Sequence, residues 1–177
     1  MLFRSNLFIS PITDTTICSG ASFVPTVTGN AANYTWSPPN SGVSNPNVIN
    51  PQLSPLVNTL YTLSGTLGPC STSRTFHVFV TTVSLSNPGD TTICAGSSYL
   101  PTISGNGTGY SWSPTPGVSD SSIINPYLSP GATTTYTVTA TLSGCSASQS
   151  FEVRVTNISL SAVSDTAICS GDFYIPS

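Results

Sequence analysis

The chain contains no lysine, and only 5% of its residues are charged. An ordinary soluble domain has about 25% charged residues. The formal net charge of -3 is too small to steer a charged partner strongly. Binding to nucleic-acid phosphates needs clustered Lys and Arg, and the three arginines of this chain lie far apart in the sequence. The sequence therefore predicts no nucleic-acid partner.

Long apolar runs are also missing, so we expect no membrane insertion in this segment. Residues 1–10 are too short and too interrupted to be a secretion signal, and we expect both ends of the sequence to be the edges of a fragment. The low charge does not indicate disorder, because 38% of the residues are hydrophobic and they alternate with polar ones. The sequence predicts a folded chain.

Groups that could carry catalysis or hold a metal are sparse. His77 is the only histidine, and it lies at a solvent-facing strand position that Glu152 occupies in the next repeat. The aspartates are scattered without the spacing of a calcium loop, and no C-x-x-C pair for zinc exists. A calcium ion held at a junction with Asp90 is the alternative left open. We expect no catalytic site, no metal and no cofactor, and therefore a protein that is not an enzyme.

An internal repeat sets the organisation of the chain. Asp14-Thr-Thr-Ile-Cys-Ser-Gly returns at Asp90 and at Asp165, with one change in each copy (90 − 14 = 76; 165 − 90 = 75). A Tyr-x-Trp-Ser-Pro motif, an Asn-Pro pair and a Leu-Ser-Pro motif recur in the same order within the first two units. The repeat predicts a fragment edge at 1–6, a first module at 7–82, a second module at 83–157 and the truncated start of a third module at 158–177.

The pattern within each unit is typical of β-structure. Residues 133–141 and 151–155 alternate between apolar and polar side chains, and Pro and Gly recur too often for helices. Six or seven short strands in about 75 residues indicate an all-β fold of tandem Ig-like antiparallel β-sandwich modules. We expect Trp36 and Trp112 to fill the two cores from a central strand, beside a disulfide. The alternative is that they are platforms for stacking sugars.

The cysteines follow the repeat. Each complete unit holds two, and we expect one disulfide within each module, Cys18 with Cys70 and Cys94 with Cys145. The alternative is five free, buried thiols. Cys169 opens the third unit and is expected to be unpaired in this fragment. Disulfides predict an extracellular or cell-surface location.

The motifs together resemble a known group of repeats. Tyr-x-Trp-Ser-Pro, a Gly-Val-Ser turn, Asn-Pro, Ser-Pro and Thr-Thr-Tyr-Thr-Val before Gly-Cys resemble the PKD-like and Ig-like repeats of large Bacteroidetes cell-surface proteins. The first unit departs from this pattern at Thr59-Leu-Tyr61-Thr-Leu63 and at Gly68-Pro-Cys70. The resemblance implies PKD-like sandwich modules from an exported adhesin, including the gliding-motility type, or from a filament stalk.

The same resemblance implies O-glycosylation, because secreted proteins of that phylum carry glycans on Asp-Ser/Thr motifs. Thr15, Thr91 and Thr166 occupy that position in the three repeats. The alternative is that the preceding aspartate caps a turn.

The function expected from these observations is structural. The chain is predicted to be a repeat segment of a surface adhesin, stalk or filament. Its partners would be neighbouring modules of the same chain and lateral copies in a filament. The alternative is a lectin-like module that binds surface glycans through exposed aromatic side chains such as Phe23, Tyr99 or Tyr127.

Overall fold

The computed structural model of the protein describes residues 6–160 together with residues 167, 169–171, 173 and 175. These residues form eight β-strands and no α-helix. The strands are β1 (Thr15–Cys18), β2 (Asn33–Ser37), β3 (Thr59–Leu67), β4 (Cys70–Thr81), β5 (Thr91–Cys94), β6 (Gly109–Ser113), β7 (Thr134–Leu142) and β8 (Cys145–Thr156). The predicted third module falls mostly outside the described residues.

The strands form two four-stranded sheets with the same topology. The order is β1-β4-β3-β2 in the first sheet and β5-β8-β7-β6 in the second. The two longest strands of each sheet form a hairpin, in which β3 pairs with β4 and β7 pairs with β8 along their full overlap. The burial of β3 and β7 follows the same alternation along nine residues, as the apolar-polar pattern predicts. The repeat in the sequence is therefore a repeat of one sheet.

One pairing differs from the predicted antiparallel arrangement. Strand β1 lies parallel to β4, and β5 lies parallel to β8. The aspartate that precedes each of these short strands contributes to the pairing. The backbone N–H of His77 donates to Asp14 Oδ1 at 2.7 Å, and that of Glu152 donates to Asp90 Oδ1 at 2.8 Å. The side chain thus serves as the acceptor just before the backbone ladder begins.

The second layer of each sandwich consists of isolated β-bridges instead of long strands. In the first module Leu53 bridges to Phe23 on one side and to Val43 on the other. Leu128 makes the matching bridges in the second module, to Tyr99 and Val118. This accounts for the difference from the six or seven strands expected, because several predicted strands are reduced to single bridge pairs.

The two cores lie between these layers and are built from equivalent residues. The largest buried side chains of the first core are Trp36, Tyr61, Phe76, Leu53 and Leu63. Trp112, Tyr136, Phe151, Leu128 and Val138 take these places in the second core. The aromatic rings meet mostly edge to face, with Trp36 and Phe76 6.0 Å apart between centroids and Trp112 and Phe151 also 6.0 Å apart. Such edge-to-face pairs stabilise a core beyond the burial of their area.

Both tryptophans lie in the cores, as the sequence predicts, and each ring nitrogen has a partner. Trp36 Nε1 donates to the carbonyl oxygen of Val48 at 2.8 Å, and Trp112 Nε1 donates to that of Ile123 at 2.9 Å. The expectation of a central strand was wrong, because β2 and β6 are edge strands of their sheets. Buried rings of this kind are not available to stack on sugars.

Candidate functional site: the junction between the modules

The described residues contain one disulfide, and it joins the two modules. Cys18 is bonded to Cys145 with a Cα–Cα distance of 5.5 Å across a sequence separation of 127 residues. Cys18 is the last residue of β1 and lies opposite Thr81, at the end of the last strand of the first module. Cys145 is the first residue of β8, directly after the β7–β8 turn. The bond therefore connects the end of one sheet to a hairpin of the next.

The predicted pairing within each module was wrong, and the strand register gives the reason. Cys18 lies opposite Thr81, whereas Cys70 begins the same strand β4 eleven residues earlier (81 − 70 = 11). At about 3.3 Å per residue, this separates the two positions by roughly 36 Å. A disulfide needs Cα atoms no more than about 7 Å apart. Cys94 and Cys145 are separated in the same way, because Cys94 lies opposite Thr156.

The hairpin that carries Cys145 has a tight, well-defined turn. Leu142 pairs with Cys145, which leaves Ser143 and Gly144 as a two-residue loop. Both loop residues have positive φ, 50° for Ser143 and 82° for Gly144. That combination belongs to the turn whose twist matches the flanking strands. The turn holds Cys145 in a fixed position at the tip of the second sheet.

The peptide linker crosses at the same end of the second module. Strand β4 ends at Thr81, and the next residue, Thr82, is already held by the second module. Asn106 Nδ2 donates to the carbonyl oxygen of Thr82 at 2.8 Å, and the backbone N–H of Ser84 donates to Asn106 Oδ1 at 2.8 Å. The two modules are therefore joined by two covalent crossings, the linker and the disulfide.

Asn30 takes the place of Asn106 in the first module. It makes the equivalent two bonds in the first module, to the carbonyl oxygen of Asn6 and from the N–H of Phe8. Asn30 and Asn106 thus fix the direction in which the chain enters each sandwich. No motif in the sequence singles out these two asparagines, although each lies three residues before the start of β2 or β6.

The other three cysteines, Cys70, Cys94 and Cys169, are free and exposed among the described residues. The alternative of five free and buried thiols is therefore wrong as well. Cys145 is 5% exposed, while Cys70, its equivalent in the first module, is open to solvent. The two environments differ because Cys145 is covered at the junction with the other module, whereas Cys70 is not.

The Asp-Thr motifs lie on the outer edge of each sheet. Thr15 and Thr91 begin β1 and β5 and are half-buried, whereas the next threonines, Thr16 and Thr92, are exposed. The bonds that Asp14 and Asp90 accept come from the neighbouring strand, so the alternative of a local turn cap is wrong for these two aspartates. Thr166 lies outside the described residues. The glycosylation of the three threonines stays a prediction.

His77 lies on the exposed face of β4, as predicted. Its ring stacks on Phe79 with 5.6 Å between centroids, and its Nδ1 is 3.7 Å from Asp14 Oδ2. In the described part of the chain, no group of three or more His, Cys, Asp or Glu side chains is placed to hold a metal ion.

The aromatic side chains proposed for glycan binding differ in exposure. Phe23 is half-buried and packs edge to face on Phe76, with 6.4 Å between centroids. Tyr99 is also half-buried and packs on Phe151 at 6.3 Å. Their expected exposure was wrong, because both extend the aromatic cores. Of the three, Tyr127 alone is well exposed, at 57%.

Comparisons with known proteins agree with the Ig-like fold. No family model matches the chain, and no curated protein matches it. Extracellular domains 3–5 of Drosophila OTK align with 85% of this chain and 62% of their own length, at 11% identity and a TM-score of 0.50. The titin fragment I67–I69, as an E-to-A variant, aligns with 85% of this chain at 14% identity and a TM-score of 0.47. DIP-gamma Ig domains 1 and 2 align with 85% of it at 12% identity and a TM-score of 0.46.

This chain spans 66% of the titin fragment and 62% of the OTK fragment. At these identities the likeness shows the fold alone, which is a tandem of Ig-like β-sandwich modules. Ig-like domains are commonly structural or adhesion modules, are generally non-catalytic and, where they carry a disulfide, are typical of extracellular proteins. No helix long and apolar enough to span a bilayer occurs in the part of the chain that the structure describes.

Proposed function

We propose that this chain is a non-catalytic structural segment of an extracellular surface adhesin, stalk or filament. The observation that supports this most is the disulfide between Cys18 and Cys145, which adds a second covalent crossing to the junction of two sandwich modules. A joint held at two points resists bending and twisting better than a single peptide linker. A semi-rigid row of modules is what a spacer needs if it is to hold another part of the protein away from a surface.

The junction also determines how the chain carries load. A pulling force applied at the two ends enters through the residues before Cys18 and leaves through those after Cys145. The two cysteines are 127 positions apart in the sequence, and the bond transmits the force past the residues between them. Both sandwich cores lie mostly within that bypassed segment, from Val27 to Val138. The arrangement protects the modules from being pulled open, which suits a stalk or a filament.

The outer faces of the sheets support lateral contact with copies of the same chain. Thr137 and Ser150 share a hydrogen bond between hydroxyls at 2.8 Å, and Thr139 and Ser148 share another at 2.8 Å. Most of this face of the β7–β8 hairpin carries neutral hydroxyls, and its two charges, Glu152 and Arg154, pair with each other. Little electrostatic repulsion therefore opposes side-by-side packing. We expect lateral copies in a filament to meet on such faces.

An extracellular location and a Bacteroidetes surface origin belong to the same proposal. Disulfides persist in oxidising compartments, and the junction depends on one. O-glycans on Thr15, Thr91 and Thr166 would add hydration to a chain with so few charges. Mass analysis of native peptides that cover these threonines tests the glycans, and unmodified masses at all three would refute them.

The test of the function is electron microscopy of the native cell surface with an antibody raised against the second module. Threads or fibres labelled at regular intervals are the expected result. The control is the same antibody after absorption with the purified module, which should remove the label. Label found on diffuse, soluble material alone would overturn the stalk and filament function.

A further inference from the structure

The junction disulfide uses two positions of the repeat, and the two complete modules also carry one free cysteine at each of these positions. The repeat places Cys70 at the position of Cys145, because each follows the two-residue turn of its long hairpin. It places Cys94 at the position of Cys18, because each ends the short parallel strand of its sheet. The structure bonds Cys18 to Cys145 and leaves Cys70 and Cys94 free and exposed.

The residues around the two free cysteines are more exposed than those around the bonded cysteines, as expected if nothing covers the free ends of the modules. Ile17, next to Cys18, is 8% exposed, whereas its equivalent Ile93, next to Cys94, is only half-buried. Cys145 is buried and Cys70 is exposed. One end of the two-module unit thus carries an uncovered hairpin cysteine, and the other end carries an uncovered strand-end cysteine.

We propose that Cys94 of one chain forms a disulfide with Cys70 of a second copy, head to tail, and so repeats the internal Cys18–Cys145 junction between molecules. Each cysteine has the same strand position as its counterpart at the internal junction, although the turn before Cys70, Gly68-Pro69, has one positive φ instead of two. The proposal rests on the geometry of that junction and does not depend on the stalk function.

A bond between Cys70 and Cys94 of the same chain does not fit the strand positions. Cys70 lies eleven residues along β4 from Thr81, where the first module meets the second. Cys94 lies opposite Thr156, eleven residues along β8 from Cys145. Each is therefore roughly 36 Å from the internal junction, at the far end of its own sheet. Cys70 and Cys94 of one chain therefore cannot reach each other.

The bond forms by thiol–disulfide exchange with a small disulfide oxidant such as glutathione disulfide. The Cys94 thiolate attacks one sulfur of the oxidant, the sulfur–sulfur bond breaks and one glutathione thiolate leaves. The Cys70 thiolate of the second copy then attacks the Cys94 sulfur and releases the second glutathione thiolate. The two protein thiols lose two protons and two electrons in total, and the oxidant is reduced to two thiols.

The test uses two variants of the full chain, each with one of the two thiols. C70S/C169S keeps Cys94, and C94S/C169S keeps Cys70; the Cys169→Ser change removes the third free thiol from both. One variant is labelled with heavy nitrogen, the two are mixed in a glutathione redox buffer, and mass spectrometry of the non-reduced products separates homodimers from heterodimers. Because the replaced cysteines are exposed, both variants should unfold at the same denaturant concentration as the unchanged chain.

Random pairing of exposed thiols gives as much heterodimer as the two homodimers together. The proposal predicts a several-fold excess of heterodimer, and a ladder of dimers and longer chains from C169S alone. Heterodimer at or below the random share, or no cross-linked product at all, would overturn the proposal. Neither result bears on the stalk function, which the microscopy tests separately.

Discussion

In each module, the side chain of one asparagine makes the two backbone hydrogen bonds that a neighbouring strand would make. Asn50 Oδ1 accepts the backbone N–H of Val27 at 2.8 Å, and its Nδ2 donates to the carbonyl oxygen of Val27 at 3.1 Å. Asn125 makes the same two bonds with Ile103. These bonds pair the backbone beside Val27 and Ile103, two core residues, where no strand lies next to it. The Asn-Pro pair that recurs in the sequence owes its asparagine to this contact.

Replacement of Asn50 tests this role. Asn50→Ala should lower the free energy of unfolding by about 1–2 kcal/mol, because it leaves both backbone groups of Val27 without a protein partner. Asn47→Ala is the matched control, since Asn47 is exposed and its side chain makes no hydrogen bond in the structure. Denaturant unfolding followed by tryptophan fluorescence measures both. Equal stability of the two variants would contradict the role of Asn50.

The two core tyrosines make stability depend on alkaline pH. Burial raises the pKa of Tyr61 and of Tyr136 above the ordinary value of 10.0. The hydroxyl of Tyr61 donates to the carbonyl oxygen of Ser41, and that of Tyr136 donates to the carbonyl oxygen of Pro116 at 3.0 Å. The folded state holds these protons more tightly than the unfolded state does. Their contribution to stability is complete below the unfolded pKa and is lost as the pH rises through the folded pKa.

We expect the free energy of unfolding to fall progressively above about pH 10. The double variant Y61F/Y136F should fall less steeply, because it lacks both groups, while Y127F should keep the full slope, because Tyr127 is exposed. Urea unfolding at a series of pH values measures the slopes. An unchanged slope in Y61F/Y136F would show that other groups cause the loss.

At the scale of elements, the turn before Val43 depends on a glycine. Gly42 has a φ of +76°, and a Cβ there would lie 2.3 Å from the carbonyl oxygen of Ser54. The N–H of Ser54 donates to the carbonyl oxygen of Gly42 at 2.9 Å, so the two backbones are held close together. Gly117 and Ser129 repeat the arrangement in the second module, with a bond of 2.7 Å. This close approach joins the bridged segments of the second layer.

Comparison of Gly42→Ala with Gly20→Ala separates the cost of a strained backbone conformation from the cost of a clash with a neighbouring backbone. Gly20 has a similar φ of +80°, but a Cβ there would meet no atom within 4 Å. Gly20→Ala should therefore cost only the left-handed backbone strain, about 1 kcal/mol, and Gly42→Ala about 3 kcal/mol or more, since the clash adds to the strain. Thermal unfolding compares the two. If Gly42→Ala costs no more stability than Gly20→Ala, the backbone of the second layer can shift to accommodate the added methyl group.

The sequence predicted the elements that alternate and missed those that do not. The alternation from Thr133 to Thr141 predicts β7, which runs from Thr134 to Leu142, and Phe151 and Val153 face the core as expected. The direction of β1 was beyond such reasoning, because a four-residue strand has the same pattern whether its neighbour runs parallel or antiparallel. The bridged second layer has almost no alternation to detect, since its pairings are single residues.

At the scale of the whole molecule, the repeat itself concealed the disulfide pairing. Each complete unit contains one cysteine of each kind, so pairing within a module and pairing between successive modules give equally regular spacings. The register of β1 against β4 decides between them, because it places Cys18 at the junction end of the sheet and Cys70 at the opposite end. That register depends on a parallel pairing that hydrophobic patterning does not reveal.

The force-bearing role of the junction can be measured on single molecules. When the oxidised chain is pulled from its ends, the bond should hide the chain between Cys18 and Cys145, which are 127 positions apart in the sequence. The fully extended C18S/C145S variant should be longer by about 45 nm, at roughly 3.6 Å per residue. The control, C70S/C94S, also lacks two cysteines but keeps the bond and should extend as far as the unchanged chain. Equal extended lengths for the unchanged chain and both variants would contradict the claim that the disulfide carries the force past the residues between Cys18 and Cys145.

The pairing of Cys18 with Cys145 is the central claim, and the scarcity of basic residues makes its most direct test simple. Trypsin can cleave only after Arg4, Arg74 and Arg154, which places Cys18 and Cys70 in one peptide (5–74) and Cys94 and Cys145 in the next (75–154). Monomeric chain is alkylated, unfolded, digested without reductant and analysed by mass spectrometry. The junction predicts that the two peptides stay linked until reductant is added and that Cys70 and Cys94 carry the alkyl label. Two separate peptides, each closed by an internal disulfide and free of label, would contradict it.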